Sequence, residues 1–246
     1  MLAVADCQVK DYQIAVPLLL DRLNINWSEW KDQKVALKPN LVSHSGHPFT
    51  SHPALVQAVA EEISRRCDDE LDLFIIEGSP FGTTGMYARH GYLHLPYRLI
   101  DIDTCGCYYE SKADDPTLPS IELPVALRDA KLVSLAVLKE HSDCVITACS
   151  KNLVGLPRTS QWSGNGLWKT KLHDLGIDKV VRALNKHKPI DLAILDATIG
   201  TRNSHIDGDP CDPPLGKLLM GDDAFEVDRA GAKLLGIDPS TVPHLN

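Results

Sequence analysis

Lys34-Val-Ala-Leu-Lys38, Pro39-Asn40, then Pro53-Ala-Leu-Val56 and the run to Arg66, then Asp72-Leu-Phe-Ile-Ile76 closed by Glu77-Gly78-Ser79-Pro80: this stretch decides the fold. The first apolar run is strand-length and stops at Pro39, which cannot extend a sheet ladder. Pro53 suits a first helical turn, with Ser51 or His52 at the cap. Leu55, Val59 and Ile63 recur every four residues, the spacing of one buried helical stripe. Residues 72–76 are again strand-length and apolar, and a Gly-Ser-Pro breaker follows them. Strand, helix and strand in succession are the unit of an α/β sheet.

Working outward, further strands are expected over 98–102, 132–138, 144–148, 191–195 and 215–220. Helices are expected over 179–185 and 223–235, the latter stopped by Gly236. The stretch 105–124 is rich in loop residues, and 200–214, with its Gly, Pro, Asp and Asn, reads as loop. The expected fold class is therefore α/β, a layered, mixed or mostly parallel sheet with flanking helices. One domain over 1–246 is expected, the alternative being two lobes divided near 105–124.

The 246 residues are 43% hydrophobic and 24% charged, an ordinary globular balance, and they suffice for a sizeable core. Asp and Glu outnumber Lys and Arg by 33 to 25, for a net charge of −8. That excess argues against a nucleic-acid partner, since phosphate binding calls for surplus cation. The opening residues carry no basic and apolar leader. No apolar run reaches the ~18 residues of a membrane span, so no membrane partner is expected. The seven scattered cysteines include no Cys-x-x-Cys pair and read as reduced thiols in the cytoplasm. Cys105-Gly-Cys107, a close pair in a loop, reads as two free thiols.

Four polar clusters fall at expected strand ends: Lys38-Pro39-Asn40, Glu77-Gly78-Ser79, Lys139-Glu140-His141 and Asp196. In open α/β sheets ligands bind beyond the carboxyl ends of strands. Exposed loops are polar in any case, so these clusters gain meaning only if their strands are neighbours. Charge is also segregated. From Cys144 to His173 there is no Asp or Glu, while Lys151, Arg158, Lys169 and Lys171 are present. A solvated face is the plain account; an anion-binding wall for carboxylate or phosphate is the functional one. Ser163-Gly164-Asn165-Gly166 gives that wall a turn that matches no phosphate-loop motif. Trp162 and Trp168 flank it, suited to packing or to stacking on a flat ligand.

His141, two residues from Lys139, is the candidate proton-transfer group, because imidazole titrates near neutrality. His44, His47 and His52 crowd one loop, but their spacing matches no zinc signature, and no metal site is expected. Asp228 lies on a helical stripe with Ala224, Gly231, Ala232 and Leu235, so it should be half-buried and in need of a partner. A Lys or Arg of the basic wall is the expected one. Neither a Gly-x-Ser-x-Gly elbow nor a His-Glu-x-x-His pair is present.

Val35-Ala-Leu-Lys-Pro-Asn-Leu-Val42, His52-Pro-Ala-Leu-Val56, Glu77-Gly-Ser79, Leu138-Lys-Glu-His141, Ser150-Lys-Asn-Leu-Val-Gly155, Leu195-Asp-Ala197 and Gly221-Asp-Asp-Ala-Phe-Glu-Val-Asp228, in this order, resemble the family called domain of unknown function 362. The resemblance runs over about 33–245. It implies functional positions at Lys38, Asn40, Glu77, Lys139, His141, Lys151, Asn152, Asp196 and Asp228. Some members carry a ferredoxin-like cysteine cluster, which hints at redox work. This chain lacks those cysteines, so the resemblance implies a separate electron donor or a soluble cofactor whose identity stays unknown.

The leading expectation is a cytosolic enzyme acting on a small anionic metabolite, a reductase or an isomerase of a biosynthetic pathway. Lys139, His141, Asp196 and Asp228 would be catalytic, and Lys38, Asn40, Glu77, Ser79, Lys151 and Asn152 would bind substrate. Lys38, Lys139 and Lys151 in one crevice would lower one another's pKa. The alternatives are a non-catalytic binder of an anionic ligand and a metal-dependent enzyme using His44, His47 or His141 with a carboxylate. A homodimer is the default assembly.

Overall fold

The computed structural model describes residues 4–67, 71–165 and 168–246. The opening unit forms as its sequence indicates: β2 (Lys34–Lys38), α2 (Pro53–Arg66) and β3 (Asp72–Glu77) follow β1 (Ala5–Gln8) and α1 (Tyr12–Leu20). His52 is the N-cap of α2, its Nδ1 accepting the Ala54 N–H at 3.1 Å, and Leu55, Val59 and Ile63 are buried. Next come α3 (Thr83–Arg89), β4 (Arg98–Asp101), β5 (Tyr108–Lys112), β6 (Ser120–Pro124), β7 (Ala130–His141) and β8 (Val145–Thr147). The chain closes with α4 (Thr159–Trp162), α5 (Thr170–Asp174), α6 (Ile177–His187), β9 (Leu192–Arg202), β10 (Asp209–Pro210), β11 (Lys217–Gly221) and α7 (Ala224–Leu234).

The sheet runs β1-β11-β9-β7-β2-β3-β4. Neighbours from β9 to β4 are parallel, whereas β11 is antiparallel to both β9 and β1. The expected mixed, mostly parallel sheet with flanking helices is what forms. Helices on both faces bury both sides of each strand, so the strands read as apolar runs rather than alternating ones. Val35, Leu37, Ile75, Val133, Leu135 and Ile194 pack with α1 and α2 on one face. Ala36, Phe74, Ile76, Leu132, Ala136 and Leu195 pack with α6 and α7 on the other.

Three expectations about loops need correction. The stretch 105–124 holds a β5–β6 hairpin, pinned down because Leu118, Ile121 and Leu123 are buried in the α6–α7 core. The stretch 200–214 is not all loop: β9 continues to Arg202, and β10 pairs back on it at Thr201 and Arg202. That extension leaves Asp196 mid-strand rather than at a strand end. Likewise His141 is the last residue of β7 rather than just beyond it. The first three residues and Gly166, which entered the leader and turn readings, lie outside the described residues.

In chain order β2, β3 and β4 step outward in one direction, while β7, β9 and β11 step outward in the other. The switch point lies between β2 and β7, where open sheets form their binding crevice. Lys38, the last residue of β2, pairs with Ser134, and β7 continues past it to His141. Where β7 pairs with β9 the register shifts between Val137 and Lys139: their partners are Asp196 and Thr201, so β9 carries the extra residues of a bulge opposite them. Such bulges redirect side chains beside functional sites.

Candidate functional site

The strand ends at the switch point carry one continuous polar network. Lys38 is 1% exposed and its ammonium donates to Glu77 Oε1 at 2.7 Å, Pro39 O at 3.1 Å and Asn152 Oδ1 at 3.3 Å. Glu77 Oε1 also accepts the Gly78 N–H at 2.7 Å, and Oε2 accepts the Leu41 N–H at 3.2 Å. Asn152 Nδ2 donates to Lys38 O and Ser134 Oγ. Asn40 Nδ2 donates to Asn152 Oδ1 at 3.2 Å, while Asn40 Oδ1 accepts from Lys139 Nζ at 2.9 Å. Lys139 donates a further bond to Phe49 O at 2.8 Å. Four segments far apart in sequence are thus tied together by buried, satisfied polar groups, the arrangement that fixes a unique geometry.

Two glycines allow this approach. A Cβ on Gly155 would lie 2.5 Å from Glu77 Oε1 and 2.8 Å from Lys38 Nζ, and one on Gly78 would lie 2.5 Å from Gly155 O. Behind them Lys169 is fully buried, donating to Val154 O at 3.1 Å and Gly155 O at 2.6 Å and lying over the Trp168 ring. Burial pulls its pKa down to about 7.

Against this network lies a cavity of about 360 Å³, within the size range of small-molecule sites. Lys38, Asn40, Glu77, Lys151 and Asn152 line it together with His141. Lys139 lies beneath, reaching the cavity only through Asn40. Lys38, Lys139 and Lys151 all have lowered pKa values, chiefly through burial; the charge of Lys151 adds to the effect on Lys139.

The basic wall divides. Lys151 faces the cavity, and it has no hydrogen bond or ion pair among the described residues. Lys169 is the buried support described above. Arg158 instead pairs with Glu122 at 3.0 Å, and Lys171 is exposed. Trp162 and Trp168 both pack against the core, and Trp168 also lines the cavity.

His141 Nδ1 accepts the Asp143 N–H at 3.0 Å, so the neutral ring carries its proton on Nε2. That Nε2 is buried with no hydrogen-bond partner among the described residues. The His205 ring stacks on it with centroids 3.9 Å apart and an interplanar angle of 17°. Burial, reinforced by the Lys151 charge, drives His141 down to about 2 and His205 to about 3. The same two causes lower His173 at the cavity wall. Thr147 Oγ1 and Trp168 Nε1 are likewise buried without partners among the described residues. The cavity is therefore rich in donors, and Glu77, already paired, is the only carboxylate among the described residues lining it.

The remaining candidates sit elsewhere. Asp196 faces α1, accepting from Tyr12 Oη at 2.6 Å and from the Thr198 N–H and hydroxyl, with His47 Nε2 at 3.2 Å. Asp228 is fully buried, and its partners are not a Lys or Arg. It accepts the Cys149 N–H at 2.7 Å, the Ser150 N–H at 2.8 Å and the Ser150 hydroxyl at 2.5 Å. It thereby fixes the turn that delivers Lys151 and Asn152. Ser79 is buried and bridges the two strand ends, donating to Leu41 O at 2.8 Å and accepting from the Phe81 N–H. The loop histidines diverge: His44 packs on Phe81, His47 reaches Asp196 and His52 caps α2. Among the described residues no group of three or more His, Cys, Asp or Glu side chains converges as a metal site requires.

Sequence reasoning missed Phe81, His205 and Ile206. Phe81 was within reach, four residues past Glu77. His205 and Ile206 come from the loop after β9, and no local signal shows that this loop folds back over β7.

No helix among the described residues is long and apolar enough to cross a membrane. Thylakoid-associated protein sll1697 of Synechocystis sp. is 28% identical over 218 residues, an alignment covering 85% of this chain and 65% of that protein. A family model, that of a domain of unknown function (DUF362), matches residues 35–233. With the match spanning most of the sheet and both halves of the cavity, the chain belongs to the DUF362 family.

Proposed function

We propose that the chain is an enzyme acting on a small anionic metabolite held in the cavity at the β2–β7 switch point. The observation that carries the reading is Lys151, an ammonium lining the cavity without a carboxylate partner among the described residues. Donors in a water-poor site are worth most where negative charge develops. Reduction and isomerisation of a carbonyl compound both develop such charge on oxygen. In this reading Lys151 binds the anion and His141 donates from Nε2 as a neutral imidazole, rather than passing a proton between groups. Asn40 and Asn152 hold the floor through the Lys38–Glu77 pair. Asp228 is a positioning residue acting through the 149–152 turn. Reduction would draw its electrons from a separate donor.

The test is the small-molecule content of the protein. Natively purified wild type and Lys151→Met are extracted and compared by negative-ion mass spectrometry. An anionic compound enriched with the wild type and lost from the variant supports the reading. Equal retention by a folded Lys151→Met protein overturns it.

The cytoplasm is the proposed compartment, supported by the buried thiols of Cys144, Cys149 and Cys211. Thylakoid association, which the relative's name records, is the competing placement, and cell fractionation with an antibody decides between them.

A further inference from the structure

Resting on that reading, charge and lining together narrow the ligand class. The cavity lining holds two charged groups that neutralise each other, Lys38 and Glu77 at 2.7 Å. Lys151 remains as the single unpaired charge among the described lining residues. The imidazoles beside it add donors rather than cations, since the Asp143 N–H occupies His141 Nδ1 and His205 is stacked face to face upon that ring. A polyphosphate or a tricarboxylate would find one cation for several negative charges, and the excess would be buried uncompensated. The rest of the lining is largely apolar. Leu41 and Val42 follow β2, Phe81 follows β3, Val154 and Trp168 come from the turn and the segment before α5, and Ile206 comes from the loop after β9. Phe81 is 43% exposed, an aromatic ring left partly open to water.

We infer that the ligand is a monocarboxylate with an apolar body: its carboxylate meets Lys151 and the Nε2–H of His141, and its hydrocarbon or aromatic part lies along Leu41, Val42, Phe81 and Trp168. One ammonium answers one carboxylate, and a neutral N–H supports the second oxygen. The apolar wall then recovers surface that would otherwise stay wet. The imidazoles should add no pH dependence of their own to binding between about 6 and 8, where an ordinary imidazole titrates, so any pH dependence there belongs to Lys151, which burial lowers. The groups facing the carboxylate are Lys151, His141, His173 and His205, with Lys139 beneath and Asp143 3.7 Å from His173. Burial and the Lys151 charge hold the three imidazoles below their ordinary range, while Asp143 and Asp178 favour the charged form of Lys151.

The experiment is titration calorimetry of the full chain with benzoate, 2-naphthoate and decanoate, and with inorganic phosphate and citrate as polyanions. Expected is at least one monocarboxylate binding ten-fold or more tightly than both polyanions. That binding should be lost in Lys151→Met and weakened several-fold in Phe81→Ala. A polyanion that outcompetes every monocarboxylate, and does so through Lys151, overturns this inference while leaving an anion site in place. If no anion shows Lys151-dependent binding to the folded protein, both this inference and the proposed function fall.

Discussion

Lys38 and Glu77 present the sharpest energetic question in single residues. Both are taken out of water, and the charge of each is balanced by the other. Removing one partner strands a buried charge, which costs about 3–5 kcal/mol, whereas removing both charges avoids that penalty. Lys38→Met should therefore be destabilised by about that amount in urea unfolding. Lys38→Met/Glu77→Gln should be more stable than Lys38→Met alone, because a glutamine side chain in place of the carboxylate can still accept the Gly78 N–H without a charge to neutralise. A double variant less stable than either single one would mean that stranded charge is not what makes the single variants unstable. At this scale much of the site is legible in the sequence. Lys38, Asn40, Glu77, Lys151 and Asn152 are polar residues at apolar-run boundaries, and the fold brings all five to one cavity. Their pairing was not legible. Nothing in the chain around Lys38 says that its counter-ion is Glu77 rather than an anionic ligand.

Among elements, α7 and the turn at 149–152 show how a remote helix sets the site. Asp228 accepts three hydrogen bonds from Cys149 and Ser150. Those bonds favour the carboxylate, yet full burial outweighs them and lifts its pKa to about 6. The unfolded chain titrates near about 3.9, so the native state binds this proton more tightly. The stabilisation is complete below about pH 4 and is lost as pH rises through about 6. Asp228→Asn cannot titrate there, so the stability gap between wild type and variant should shrink by about 2 kcal/mol from pH 4 to pH 7. Urea unfolding at four or five pH values measures it; a gap that widens with pH would show that the three donors outweigh burial. Element boundaries were legible where period and breakers agree, as in Pro53–Arg66 and in the helix ended by Gly236 at φ +74°. They were not legible where strands are made by long-range pairing. The hairpin at 105–124 and the end of β9 are polar stretches that become strands because a partner strand lies alongside.

For the whole molecule, the sheet order follows from connectivity rather than from any local pattern. The parallel order around β2 and β7 is what gathers residues 38, 77, 141, 151 and 205 at one edge. The same sheet separates two apolar layers, and both share its strands, so neither layer can be exposed without breaking ladders that the other needs. Unfolding should thus be one cooperative event, and the cysteines report on both layers. Cys7 belongs to the α1–α2 layer, while Cys144, Cys149 and Cys211 belong to the opposite one, and all four are buried. Cys107 is exposed. A disulfide reagent such as Ellman's should label Cys107 at once in the native protein. Along a urea series followed by mass spectrometry, Cys7 and Cys211 should then become reactive at the same midpoint. If Cys7 opens at clearly lower urea than Cys211, while β1 stays protected in hydrogen exchange, the two faces unfold separately. In that case a cavity built at their shared edge would be lost with the weaker face.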